Sequence, residues 1–182
     1  MKEEKKKREA KRLASRLFSA GEGEVLGVIR EIREHGDHTL IEALVRLYTT
    51  TPHAGVASAV LALLRDLKDQ QSVDQLIMAL EKVEDPDRKR ELLTACWQSG
   101  LDFSRHTDTL LAIFLDADYA TALEAFSVIE GSLPHLSDPS VLKKGLKTLK
   151  EQQVSADDPR YALQQALETL LDEHLRDLQD QT

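Results

Sequence analysis

The stretch Glu84–Gly100, EDPDRKRELLTACWQSG, decides how the chain is read. It sets Arg88, Lys89 and Arg90 in a row near the only tryptophan, Trp97, and the only cysteine, Cys96. Such a run either holds phosphates and stacks a base, or it starts an ordinary helix. Local chemistry favours the helix. Asp85 has the side-chain oxygen that accepts a free backbone N–H at a helix start, and Pro86 in the first turn sacrifices no helical hydrogen bond. Asp87 complements the positive end of the helix dipole. Arg88, Lys89 and Arg90 are consecutive, so they fan out over about 200° and form no single basic face. Glu84, Asp85, Asp87 and Glu91 surround them, whereas a phosphate-reading patch is net basic. Trp97 comes one turn after Leu93 and continues Leu92, Leu93 and Cys96, which reads as a packed indole and a buried structural thiol. The stretch is scaffold.

Working outward, helical periodicity recurs almost everywhere and strand alternation almost nowhere. Ala10, Leu13, Ala14, Leu17 and Phe18 form one apolar face; Val25, Val28, Ile29 and Ile32 form the next, closed by His35 and Gly36. Similar sets begin at Leu40, Val56, Val73, Leu110, Tyr119 and Val141. The last runs from about Pro159, with Leu163, Leu167, Leu170, Leu171 and Leu178 on its stripe. The expectation is an all-α chain of about ten helices. Its composition agrees, because aromatic residues make up only 4% and Leu and Ala dominate.

The totals narrow the class further. At 182 residues the chain suits one domain with a substantial core. One cysteine cannot form an intramolecular disulfide, which suits a reducing compartment. The opening MKEEKKKREAKRLASRLF has no apolar core of signal-peptide length, and no apolar run approaches the ~20 residues that cross a bilayer. A soluble, cytoplasmic protein without membrane contact is expected. Charge is uneven: the first twenty residues carry a net +5 and the remainder a net -13. Residues 1–21 therefore read as a basic N-terminal helix, either solvated or an arm for an acidic partner, and 22–182 as the body.

Punctuation supplies the organisation. TTPH, EDPD, SDPS and DDPR each place Thr or Asp before Pro, predicting helix starts at Pro52, Pro86, Pro139 and Pro159. Leu40, Val73, Asp108 and Val141 begin comparable helices at intervals of 33, 35 and 33 residues. A period in the thirties made of two short helices signals a helical-hairpin repeat. Asp85–Leu101 and DPSVLKKGLKTLKE, Asp138–Glu151, resemble the second helix of HEAT repeats, with Asp-Pro, an early basic residue, then small and Leu positions. Pro52–Leu67 resembles a third copy without the basic residue. The resemblance spans most of residues 22–175. It departs from the pattern where Pro139 and Pro159 open consecutive helices, which leaves the pairing phase open there.

What the resemblance implies is a right-handed superhelical α-solenoid of HEAT-like antiparallel hairpins, ending in an amphipathic capping helix. Its second helices would line an inner surface holding Arg65, Asp66, Asp69, Arg88, Arg90, Trp97 and Glu124. The expected function is a non-catalytic module or scaffold that binds a protein or peptide partner there. Two alternatives stand beside it: a HEAT-like enzyme (alkylpurine DNA glycosylase-like or bilin lyase-like), or RNA or ribosome binding through the basic N-terminal arm. Nucleic acid suits the net -13 body poorly, and neither enzyme's motif is present. The sequence also has no Gly-rich phosphate loop, GxSxG, HExxH or CxxC, so no catalytic, cofactor or metal residue is assigned. His35, Asp37, His38 and His53 could supply zinc ligands, but Gly36 breaks the helix between them. His35 instead suits a helix C-terminus, and His174 an exposed part of the last helix.

Overall fold

The computed structural model describes residues 2–19 and 21–180, which contain ten α-helices and no strand. They are α1 (Lys2–Ser19), α2 (Glu22–His35), α3 (Ile41–Thr50), α4 (Ala54–Arg65) and α5 (Ser72–Glu81). Then follow α6 (Pro86–Ser99), α7 (Thr107–Asp116), α8 (Tyr119–Ser132), α9 (Pro139–Glu151) and α10 (Tyr161–Asp180). Among the described residues no helix is long and apolar enough to cross a membrane.

Two of the four proline starts fall where the sequence puts them. Asp85 accepts from the Arg88 N–H at 2.9 Å and Asp138 from that of Ser140 at 2.8 Å, each with proline in the first turn. α6 then closes on Gly100, whose φ of 69° lies in the left-handed region that side chains with a Cβ avoid. The other two helices begin two residues late. The Thr51 hydroxyl accepts from His53 N–H at 3.2 Å and Asp158 from Arg160 N–H at 2.8 Å, so each closes a short turn before α4 and α10 begin.

The chain divides into two compact units, Met1–Leu101 and Asp102–Thr182. In the first, α1 pairs with α2, α3 with α4 and α5 with α6; α1, α3 and α5 pack in succession, as do α2, α4 and α6. Apolar stripes at three-and-four spacing explain the pairing: Val28, Leu44, Val60, Leu64, Leu80, Leu92 and Leu93 are all buried between them. α1 belongs to this packing. Leu13 and Leu17 are each 1% exposed, while Arg12 and Arg16 reach Glu31 of α2 at 2.8 and 2.7 Å. Arg16, and then Arg12, hold the Glu31 carboxyl below the ordinary carboxylate range. Phe18, expected on the apolar face, is instead half-exposed beneath the Arg46 guanidinium, 3.9 Å from its ring centre.

In the second unit α7 pairs with α8 and α9 with α10, and α9 also packs on α7. The Asp138-Pro139 start therefore opens the first helix of its pair, whereas Asp85-Pro86 opens the second helix of α5–α6. The two stretches that share a HEAT-like look do not hold equivalent places. α9 approaches α7 closely at Gly145, where a Cβ would stand 2.9 Å from Leu111 Cδ1. α10 buries Leu163, Leu167, Leu171 and Leu175, with Leu170 on the flank. Gln164 is fully buried within that stripe; it donates to the Leu149 carbonyl at 2.7 Å and accepts from Val154 N–H at 3.0 Å. His174 is half-buried, not exposed as expected, because its Nε2 lies 2.9 Å from the Leu136 carbonyl.

Candidate functional site

The sequence-derived candidates fall into two groups. Arg65 ends α4, Asp69 lies in the turn after it, and Trp97 is in the last turns of α6. Two contacts bring those helix ends side by side. Arg33, near the end of α2, pairs with Asp66, and Lys68 Nζ donates to the Ser99 carbonyl at 3.4 Å. The C-terminal ends of α2, α4 and α6 thus lie in a row carrying Arg65, Asp69 and Trp97. Between α2 and the α4–α5 turn is a cleft of about 240 Å³ lined by Arg33, His38, Asp66, Lys68 and Asp69. Asp69 itself accepts from Gln71 N–H at 3.0 Å and faces His38 Nδ1 at 3.4 Å.

Arg88 and Arg90 lie at the other end of α6, about 10–14 Å along its axis from Trp97. Their cations are committed locally. Arg90 pairs with Asp87 at 2.7 Å, and Arg88 stacks 4.6 Å from the centre of the Tyr48 ring, with Glu91 at 3.8 Å. The Tyr48 hydroxyl, buried in α3, donates to the Glu91 carboxylate.

Trp97 overturns its reading as a packed indole: it is 43% exposed. The buried stripe of α6 is Leu92, Leu93, Ala95, Cys96 and Ser99, and one helical step of about 100° carries Trp97 past Cys96 onto the flank. A large ring there covers its neighbours on one side and meets solvent on the other. On α4, which packs against α6, the outward line is Gly55, Ser58, Ala62 and Arg65, small residues ending in a guanidinium with no ion pair among the described residues.

Two grooves on the α1–α3–α5 side escaped the sequence reading. One, of about 530 Å³, lies between Phe18 of α1 and Arg46 of α3; the other, of about 310 Å³, runs from Arg46 to Lys82, and both include Glu42. Lys82 bridges the second groove to Glu42 at 2.8 Å. Pockets built between two helices that are not neighbours in sequence leave no periodic signal in either one.

The histidines do not converge. His53 faces Glu22 at 3.5 Å, His38 faces Asp69, and His35 is exposed beside Glu34. Among the described residues no group of three or more His, Cys, Asp or Glu is placed to hold a metal ion. The two strongly displaced acids are buried. Burial pushes the Cys96 thiol up to about 12 from an ordinary 9.0, and the Tyr48 phenol to about 12 from 10.0. Folding keeps both protons on while the unfolded chain releases them, so their stabilisation is complete below about pH 9 and is lost as pH rises towards 12. The melting temperature is expected to fall from about pH 9, and in Cys96→Ala the fall should begin nearer pH 10, where Tyr48 alone contributes. Thermal melts across this range check it; an unchanged onset in the variant would refute the assignment to Cys96.

The chain matches no protein-family model and no curated protein.

Proposed function

We propose that the chain is a non-catalytic protein-binding module, a right-handed stack of HEAT-like hairpins. On this reading a peptide or protein partner docks at the C-terminal ends of α2, α4 and α6. One observation carries the reading: the only tryptophan stands 43% exposed near the end of α6, in the row of helix ends that also carries Arg65 at the end of α4. Tryptophan and arginine are the side chains that most often dominate protein interfaces, and the small residues of α4 leave a partner room to approach. Successive packing of α1, α3 and α5, and of α2, α4 and α6, supports the stacked-hairpin part of the proposal. Nucleic-acid binding through α1 is less favoured, since Arg12 and Arg16 already engage Glu31.

The single indole makes the test direct. Peptides selected on the wild-type protein from a displayed library should shift Trp97 fluorescence on binding. Trp97→Ala should lose only about 1 kcal/mol of stability, a shift of about 2–4 °C in Tm. The same variant, and Arg65→Glu, should bind the selected peptides at least about tenfold more weakly. Peptides that bind both variants as tightly as wild type would rule out this surface.

A further inference from the structure

We propose that two copies of the chain associate through a lysine ridge on α9 of one copy and a carboxylate ridge on α10 of the other. Lys143, Lys147 and Lys150 recur at intervals of four and three; Glu173, Asp177 and Asp180 recur at the same intervals. In a helix that spacing holds three side chains within an arc of about 60° and about 10 Å of length. All six are exposed. They avoid the leucines that join α9 to α10, since Leu142, Leu146 and Leu149 are buried on one helix and Leu163, Leu167 and Leu171 on the other.

Little within the chain neutralises either ridge. Lys147 has a distant partner, Glu151 at 3.7 Å, and the neighbouring Lys144 is engaged by Asp108 at 2.5 Å. Lys143 and Lys150 have no carboxylate partner among the described residues. On α10 the competing cation, Arg176, is held by Asp172, and His174 turns to the Leu136 carbonyl. The remaining carboxylates therefore form an uninterrupted acidic line.

The charge complement points to a second copy. Every chain carries both halves with identical spacing, so three cations can face three carboxylates without any foreign partner. A nucleic acid would use the lysines alone and bring its phosphates against a chain of net charge -8. Surface ion pairs are individually weak, so the association is weak and sensitive to salt.

Sedimentation of the full chain tests this. Wild type should self-associate with rising concentration at about 0.05 M salt and dissociate near about 0.5 M, where the Debye length shortens severalfold. K143E/K147E/K150E and E173K/D177K/D180K should each weaken self-association at least about tenfold, about 1.4 kcal/mol. An equimolar mixture of the two should associate again, because each supplies the ridge that the other has reversed. Circular dichroism verifies that both variants are folded. If a reversal unfolds the chain, the milder K143Q/K147Q/K150Q takes its place and should also weaken association. A monomeric wild type at low salt, reversed variants that associate like wild type, or a mixture that fails to pair would each overturn the proposal. So would a monomer that captures poly-glutamate through the lysine ridge, which would assign that ridge to a foreign acidic partner.

Discussion

Truncation at Ser155 is expected to unfold the second unit. The lost helix buries Leu163, Leu167, Leu171 and Leu175, none more than 9% exposed. Burying an aliphatic side chain of this size stabilises by about 1.5–3 kcal/mol, so four of them approach the whole stability of a small domain. Their removal uncovers Leu142, Leu146 and Leu149 of α9. It also breaks the buried hydrogen bond that Gln164 donates to the Leu149 carbonyl. Such a hydrogen bond adds about 0.5–1.5 kcal/mol to what is lost. Circular dichroism should lose more helix than the 20 residues of α10 account for, and the product should aggregate. A soluble, fully helical truncated monomer would show that α10 is dispensable.

The second large effect concerns the other end of the chain. Leu13→Ala and Leu17→Ala are each expected to cost about 2–5 kcal/mol, the range for truncating a fully buried leucine. Together they should bring the first unit close to unfolding, since small domains hold only about 5–15 kcal/mol. Lys7→Ala and Arg8→Ala, at exposed positions of the same helix, should each change stability by no more than about 0.5 kcal/mol, as for most surface changes. Urea unfolding followed separately for each unit discriminates these outcomes, because two units need not unfold together. If the double variant melts like wild type, α1 is a detachable arm.

Residues whose reading depends on a single helix were the legible ones. The Asp85–Pro86 start and the burial of Cys96 follow from capping chemistry and a 3.6-residue period, and the structure holds both. Trp97 was misread because position along a stripe does not say how far a flank reaches past its neighbours. Gln164 was overlooked for the opposite reason. A polar residue in an apolar stripe looks like a surface position until the loop that it satisfies, at Val154, is seen folded over it. The Asp85-Pro86 and Asp138-Pro139 starts fix where their helices begin but not which member of a pair each is, and α9 shows the difference. The surface at the ends of α2, α4 and α6 was half visible. Arg65, Asp69 and Trp97 could be nominated one by one, but Lys68 and Arg33, which set those helix ends side by side, announce nothing in sequence.

Arg160 has a consequence for synthesis on the ribosome. Its guanidinium donates to the carbonyls of Leu115 and Ala117 at 2.9 and 2.8 Å, oriented by Asp158 at 2.8 Å. The last carbonyls of a helix have no partner within it, so the end of α7 is completed by a side chain made about 45 residues later. At about 5–20 residues per second, α7 waits roughly 2–9 s after its own translation before that partner exists, and longer before it leaves the exit tunnel. Helix α7 can form early, but its terminus stays bound to water throughout that interval. The second unit therefore locks only after Arg160 has been made, while the first is complete in sequence by Leu101. A nascent chain stalled just before Arg160 should already resist protease across α1–α6 and remain cleavable beyond α7.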